Sequence, residues 1–480
     1  MATGRKHRVL FDLGPALLKQ AGIPQTTRQL FELFSRCPDV EVTGLIWSHS
    51  KECLLHRFYQ GSQPHRRLSN EAEFLHAVLG HLDPEVETKW KRRKKEVRWH
   101  WRAWTQRFFP AQPLDPTWHD LIWRYYFAST LPPSARERLK QVNYVGATFT
   151  RTYFRERLKR ALPLPVLDTR GFDTLFLQYP LPVRTTPGTR TIFRCQDLVP
   201  LLYFDTQPKS VQHIRFLQRS ISSAGRDSLL VTAASQTEHE VKTIFSSLKL
   251  RTKTVPHFVP RASGAVPPVS VLDRILQARI SPDTQSTSGW APALMSGERL
   301  AREGYLIAVS TLEPRKNWLT LFQAFSLLRG QQSIRLVVVG SPGWKFEPIL
   351  AALRPLVRAR EVVHLSNVDR VELDALYAHA RALIYPSFQE GFGLPPLEAA
   401  QQGTPSVVSD IPVHREVMDD SVLYCDPHDV MNMMQAMSKI AAETAEGDLL
   451  RQGLVQKAQE RLGQYTEEKI LQQWLETLGV

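Results

Sequence analysis

Glu390 and Glu398 flank a glycine-rich turn in the run Tyr385-Pro-Ser-Phe-Gln-Glu-Gly-Phe-Gly-Leu-Pro-Pro-Leu-Glu398. Carboxylates accept hydrogen bonds from hydroxyls. Gly391 and Gly393 let backbone approach a ligand closely, and the N-terminus of a following helix favours phosphate through its unpaired N–H groups and dipole. The arrangement therefore suits a hydroxyl-rich ligand that carries an anionic group. The elements that must position it are readable. Ala382-Leu-Ile-Tyr385 has the form of a short buried strand, and Pro395 to Gln402, closed by Gly403, that of a helix with proline in its first turn. Glu390 then lies on the loop and Glu398 near the helix start. Pro395 and Pro396 lack an N–H, which leaves Leu394, Leu397 and Glu398 as N–H sources. An ordinary strand-to-helix turn, with acids near a helix N-terminus, would use the same residues.

The run resembles the E-x7-E signature of the family 4 retaining nucleotide-sugar glycosyltransferases, and further pieces follow in the order of that family. Val309-Ser-Thr-Leu-Glu-Pro-Arg-Lys-Asn317 resembles its donor-phosphate segment, and Arg335-Leu-Val-Val-Val-Gly340 its next buried strand. Ser366-Asn367-Val368 matches the place where the family reads the nucleotide base through backbone, and Ser409-Asp-Ile-Pro-Val-His-Arg-Glu416 matches a later strand and loop. The likeness is specific from about Tyr305 to Asp426 and looser upstream. It implies an α/β GT-B fold, two Rossmann-like domains facing a cleft, and a mannosyltransferase-like activity.

Sugar transfer from a nucleoside diphosphate builds negative charge on the leaving diphosphate and positive character at the sugar carbon. The resemblance assigns Lys316 to the diphosphate, Glu390 to the transferred sugar and Glu398 to the ribose hydroxyls. Thr311, Arg315, Val368, Gly391, Phe392, Gly393, Leu394 and Leu397 would line the donor site, and Gly22 and Ile23 an acceptor or phosphate loop. It also implies retention of configuration by front-face attack, with the leaving phosphate as base and no metal. Glu390→Ala and Lys316→Ala would then abolish transfer without unfolding the chain. Two positions depart from the pattern. Thr311 stands where the family commonly has an arginine, which leaves two alternatives, substitution by Arg315 or loss of one phosphate contact. Gln196-Asp197 stands where it has His-Asp, and Gln196 cannot take up a proton but can hydrogen-bond a sugar hydroxyl. Both are retained as catalytic candidates. His119-Asp120 is a decoy between Trp118 and Leu121.

At 480 residues with 42% hydrophobic content, the chain suits a two-domain enzyme. No apolar run approaches the ~20 residues of a membrane span, and no export signal is evident. Cys37, Cys53, Cys195 and Cys425 lack metal-ligand spacing and suit a reducing compartment. The expected setting is cytoplasmic. Residues 1–250 hold 38 Lys/Arg against 22 Asp/Glu, whereas residues 251–480 hold 23 against 25, so only the first half is basic. Much of the excess lies in 89–109, where Trp90, Val97, Trp101, Trp104 and Phe108 recur at helical spacing among lysines and arginines. Such a helix suits an anionic membrane surface, which would make the enzyme peripheral on the inner face of the cell membrane, or it packs its aromatic stripe on the first domain. Nucleic-acid binding is not expected, because no recognition module accompanies the charge.

Residues 1–260 read as an N-terminal acceptor-binding domain that opens with the strand His7–Leu13 and contains a helical insertion over about 60–160. Strands are expected again at 171–177, 191–194 and 228–233. A Pro/Ser/Thr/Gly-rich stretch, 261–303, reads as a linker with a short helix at Val271 to Arg279. Residues 304–465 form the donor domain, and 466–480 a helix that the resemblance sends back onto the first domain. The expected function is transfer of a sugar, mannose from GDP-mannose in preference to a UDP-sugar, onto a glycan or lipid-linked oligosaccharide in surface polysaccharide synthesis. The competing functions are a non-catalytic binding subunit and an enzyme of the same fold acting on nucleotide sugars without transfer.

Overall fold

The computed structural model describes residues 5–17, 22–48, 71, 74, 75, 78, 108–148, 164–202, 216–221, 228–260, 266–284 and 296–480. Strands β12 (Tyr305–Val309), β13 (Arg335–Val339), β14 (Val362–Leu365), β15 (Ala382–Tyr385), β16 (Ser406–Ser409) and β17 (Leu423–Cys425) form one parallel sheet in the order β14-β13-β12-β15-β16-β17. Their near-continuous apolar runs suit a sheet covered by helices on both faces. One side is packed by Trp318, Phe322, Phe325 and Met437, and the other by Leu376, Leu397 and Val417. The chain order reverses between β12 and β15. Open α/β sheets bind ligands at such a switch point, outside the carboxyl ends of the strands.

The second sheet takes the order β11-β10-β9-β7-β1-β2-β5-β4. Its strands are β1 (His7–Asp12), β2 (Val40–Ser48), β4 (Gln112–Pro113), β5 (Asn143–Thr148), β7 (Thr174–Leu177), β9 (Arg190–Cys195), β10 (Leu229–Thr232) and β11 (Arg251–Thr254). All pairings are parallel except β4 with β5. A small parallel sheet of β3 (Phe108–Phe109), β6 (Val166–Leu167) and β8 (Arg184–Thr185) lies beside it.

Three expectations change. The range 60–160 is not wholly helical where described, because Asn143–Thr148 pairs with β2 from Thr43 to Ser48 and widens the main sheet. Phe108 and Phe109, expected to end the basic helix, are a strand, and the rest of 89–109 lies outside the described residues. The stretch 261–303 is more than a linker. Its helices Ser270–Ala278 and Gly297–Glu303 insert Val271, Leu272, Ile275, Leu276 and Leu300 into the core of the second domain.

The chain leaves that domain at Tyr465, whose carbonyl accepts from Val259 N–H at 3.0 Å. The helix Glu467–Leu478 then returns to the first domain, where Trp474 packs edge-on against Phe34 and Phe176 with ring centroids 6.1 and 5.1 Å apart. The ring of Tyr465 meets that of Phe392 at 5.5 Å, so this crossing supports the turn after Glu390.

Candidate functional site

Lys316 follows β12 and Glu390 follows β15, one on each side of the switch point. Asn317, at φ +61°, ends the short helical turn Pro314–Lys316. Its amide donates to the carbonyls of Pro386 (3.0 Å) and Pro427 (2.7 Å), tying this loop to those after β15 and β17. Lys316 Nζ consequently reaches Glu390 Oε1 at 2.6 Å and the hydroxyl of Tyr385 at 3.0 Å. Arg315 Nη1 donates to Glu390 Oε2 (2.9 Å) and to the Gln389 carbonyl (2.7 Å), while its other nitrogens hold Glu313 at 3.1 and 2.8 Å. Burial pushes the Glu390 carboxyl up, but Arg315 and Lys316 more than offset it and leave the group well below the usual carboxylate range. Burial and the neighbouring Arg315 lower the proton affinity of Lys316, and Glu390 offsets them only in part.

Arg315 thus clamps Glu390 and keeps its charge at the switch point. Thr311 is half-buried and offers its carbonyl to Trp318 Nε1 at 3.0 Å, so it supplies no cation.

The helix Leu394–Gln401 begins at Gly393, at φ +87°, one residue earlier than the prolines suggest. With this start, the amides of Leu397 and Glu398 fall to intrahelical partners, and those of Gly393 and Leu394 remain for a ligand. Leu397 is fully buried and packs its side chain into the core. Glu398 is buried, ion-paired with Arg370, and accepts from Gln25 Nε2 of the other domain at 3.0 Å. Gly22 and Ile23 are exposed at the start of the helix Gly22–Arg36, and it is Gln25, one turn further, that reaches the site. Val368 is half-buried against the core of the second domain, just before Asp369, which caps the helix carrying Arg370.

The first domain closes over this cluster. A Cβ placed on Gly391 would lie 2.0 Å from the Gln196 carbonyl oxygen, so only glycine permits that approach. Asp197 sits beside it. Burial raises its pKa, opposed chiefly by Arg315. Glu416 adds a second cross-domain contact, accepting from the backbone N–H groups of Ser235 (2.6 Å) and Gln236 (3.0 Å) at the start of the helix Ser235–Ile244. Between that helix and the ends of β15 to β17 lies a cavity of about 840 Å³, whose lining includes Gln236, Glu240, Gln389, Glu390, Asp410 and Asn432. His119 lies apart, bonded to the Lys140 carbonyl at 2.6 Å, and Asp120 pairs with Arg136 and Lys140. Gln25, Arg370, His257 and Glu416 were not singled out from sequence as site residues. Gln25 and Arg370 carry one signal, a place in a helix first turn, and His257 lies just past the strand Arg251–Thr254, whereas Glu416 lies in the second turn of Pro412–Met418 and carries neither.

His414 packs beneath the turn, its Nδ1 within 2.9 Å of the Ser409 carbonyl. Burial lowers its pKa from 6.5 to about 4, although Glu390 pulls the other way. Below about pH 6.5 the unfolded chain takes up this proton before the folded chain does. The stability His414 confers is therefore complete above that pH and is lost as pH falls towards 4. In urea titrations, the stability difference between wild type and His414→Gln should shrink by about 1.4 kcal/mol per pH unit between roughly pH 6 and 5. Buried carboxylates with raised pKa, such as Asp197 and Glu313, act in the opposite direction but are common to both proteins. A difference independent of pH would mean that His414 titrates normally.

Residues 297–468 match the family model "Glycosyl transferases group 1". Among curated proteins, O-antigen chain mannosyltransferase B of Escherichia coli is 40% identical over 134 residues, 28% of this chain and 35% of that protein. O-antigen chain mannosyltransferase RfbU of Salmonella typhimurium is 33% identical over 143 residues, 30% of this chain and 40% of that protein. The matched stretch thus spans between a third and two fifths of these relatives' length. Sucrose-phosphate synthase from Thermosynechococcus elongatus superposes over 98% of both chains at 14% identity with a TM-score of 0.56. The Candida albicans trehalose-6-phosphate phosphatase N-terminal domain superposes over 99% of this chain and 96% of its own at 12% identity with a TM-score of 0.52. Residues 297–468 are therefore a group 1 glycosyltransferase domain, set in a chain with the GT-B fold.

Proposed function

We propose that this chain is a retaining hexosyltransferase that moves mannose from a nucleoside-diphosphate sugar, GDP-mannose in preference to a UDP-sugar, onto a growing surface glycan or lipid-linked oligosaccharide. The carrying observation is the cluster at the switch point. Lys316 and Arg315 converge on a buried, ionised Glu390 directly beneath the Gln196–Asp197 edge of the other domain. Fixed cations of this kind meet the charge that develops on a leaving diphosphate without reorganising. They give the reaction its counter-charge from the protein itself, in keeping with a mechanism that needs no metal. Glu398 would turn from Arg370 and Gln25 to the ribose hydroxyls, and Val368 would meet the base. The amides of Gly393 and Leu394 would face the phosphates. The polar cavity beside Glu390 offers room for an acceptor sugar, and its carboxylates Glu240 and Asp410 suit hydroxyls better than phosphate. Mannose is favoured because the relatives matched over this domain are O-antigen chain mannosyltransferases.

No helix among the described residues is long and apolar enough to cross a membrane. The reading implies a cytoplasmic enzyme, peripheral on the inner membrane face where a lipid-linked acceptor would be presented.

Ligand-induced thermal stabilisation tests the donor assignment. A ligand that binds only the native state stabilises it by about 2.7 kcal/mol at 100 times its Kd. GDP-mannose should raise the melting temperature of wild type and leave that of Lys316→Ala nearly unmoved, with UDP-, ADP- and dTDP-sugars inert. Stabilisation by another nucleotide class would correct the donor. No stabilisation by any of them would favour a non-catalytic binding subunit, and nucleotide-sugar consumption without acceptor would point to an enzyme that does not transfer.

A further inference from the structure

Arg194, at the end of β9, is buried to 2% exposure and has no carboxylate partner among the described residues. Its Nη2 lies 3.0 Å from His257 Nδ1 and 3.4 Å from the Val255 carbonyl, and its guanidinium carbon lies 5.3 Å from the centre of the Trp474 ring. Burial pushes its pKa down to about 9. A cation held in the interior without a counter-charge is costly, and packing alone would be served better by an apolar side chain of similar volume.

The contacts of this cation fix a chain of hydrogen bonds. A guanidinium can only donate, so His257 Nδ1 must accept. Neutral imidazole then carries its proton on Nε2, which lies 3.1 Å from Gln196 Oε1 and donates to it. Burial, with Arg194 beside it, keeps His257 neutral by lowering its pKa well below the ordinary value. With its oxygen engaged, the Gln196 amide can turn only its nitrogen to the cleft. That Nε2 is buried and has no partner. The Gln196 carbonyl touches Gly391, and the His257 ring meets Phe392 at 5.2 Å, so the unspent donor stands beside the Glu390–Phe392 turn.

We infer that Arg194 and His257 are positioning residues that lock the Gln196 amide with its N–H groups presented to an oxygen of the bound nucleotide sugar, either a hydroxyl of the transferred sugar or a phosphate oxygen. The inference rests on the donor site proposed above. It explains how glutamine serves where a histidine was expected: the histidine is supplied from behind, and the amide delivers the hydrogen bond. Without Arg194 the imidazole can move its proton to Nδ1, and the amide can flip to present its oxygen.

The test is a mutant cycle in the full-length protein, with GDP-mannose and GDP as probes. Gln196→Ala, Arg194→Met and His257→Phe should each lower kcat/KM by roughly 10- to 100-fold. Arg194→Lys, which keeps a donor, should recover most of the loss. In the Gln196→Ala background, Arg194→Met and His257→Phe should cost nothing further, because residues acting through one group are not additive. Arg194→Met should also melt no lower than wild type, which separates positioning from a structural role. Weakened GDP-mannose binding with unchanged GDP binding assigns the contact to the sugar, and equal weakening of both assigns it to phosphate. Undiminished losses in the Gln196→Ala background, or wild-type turnover in Arg194→Met, would overturn the relay while leaving the donor site intact. Failure of wild type to bind either probe would instead remove the donor reading and the relay with it.

Discussion

Alanine at Glu390 is expected to lower turnover by about 10³-fold and the stability of the chain by about 3–5 kcal/mol. The two losses share a cause. Glu390 is 9% exposed, and it is the common partner of Lys316 at 2.6 Å and Arg315 at 2.9 Å. Removing it leaves Lys316 in the interior without an ion-pair partner among the described residues, and Arg315 with Glu313 as its one remaining ion pair there. Lys316→Ala should cost turnover about 10²- to 10³-fold but less stability, because Arg315 still compensates the carboxylate. The expectation from sequence is that both variants stay folded, and the buried ion pair adds a stability cost to the change at Glu390. Pairing Glu390→Leu with Lys316→Met should recover much of the stability and none of the activity, since an apolar replacement of a buried ion pair is often neutral. Urea denaturation and acceptor-dependent turnover on the same set would check this. An alanine variant at Glu390 with wild-type stability would mean that the pair opens to solvent, and one with wild-type turnover would sink the proposed site.

What was legible in the chain follows from how locally each feature is encoded. The strand Ala382–Tyr385, the turn and the helix closed by Gly403 are set by an apolar run, two glycines and two prolines within one short segment. The partnership of Lys316 with Glu390 spans 74 residues and that of Gln25 with Glu398 spans 373. Neither distance leaves a mark in local pattern. Both depend on the switch point of one sheet and the closure of two domains. The stretch 261–303 misled through composition, since its Pro, Ser and Thr surround a helix whose apolar face of Val271, Leu272, Ile275 and Leu276 belongs to the core. Strand β5 was missed for the opposite reason: Asn143-Tyr-Val-Gly-Ala-Thr148 is short, contains a glycine, and gains its place by pairing with β2. A strand at that position is decided by its neighbour more than by its own residues.

Gly391→Ala should separate the two domains' contributions more cleanly than any change of charge. The added methyl would lie 2.0 Å from the Gln196 carbonyl oxygen, 3.0 Å from its carbon and 3.1 Å from Asp197 Cβ. The first of these is backbone at the end of a buried strand, so no side chain can swing aside. The turn after Glu390 and the edge of the first domain must therefore part. A displacement of about 1 Å at reacting groups costs on the order of 10²-fold in rate, because the reactants lose their near-attack geometry. The residues of the second domain that the proposed donor site assigns to the nucleotide, Lys316 and Val368 among them, are not among the nearest neighbours of the added methyl. Turnover should fall by about 10²-fold or more while nucleotide binding by calorimetry changes little, and solution scattering should register a more open molecule. Gly453→Ala serves as the control. An added Cβ there meets nothing within 4 Å, and its helix, Ala445–Leu462, should gain about 0.5–1 kcal/mol from the change. Equal turnover in Gly391→Ala and wild type would mean that catalysis does not require this closure, and the second domain would then have to perform the chemistry without Gln196 and Asp197.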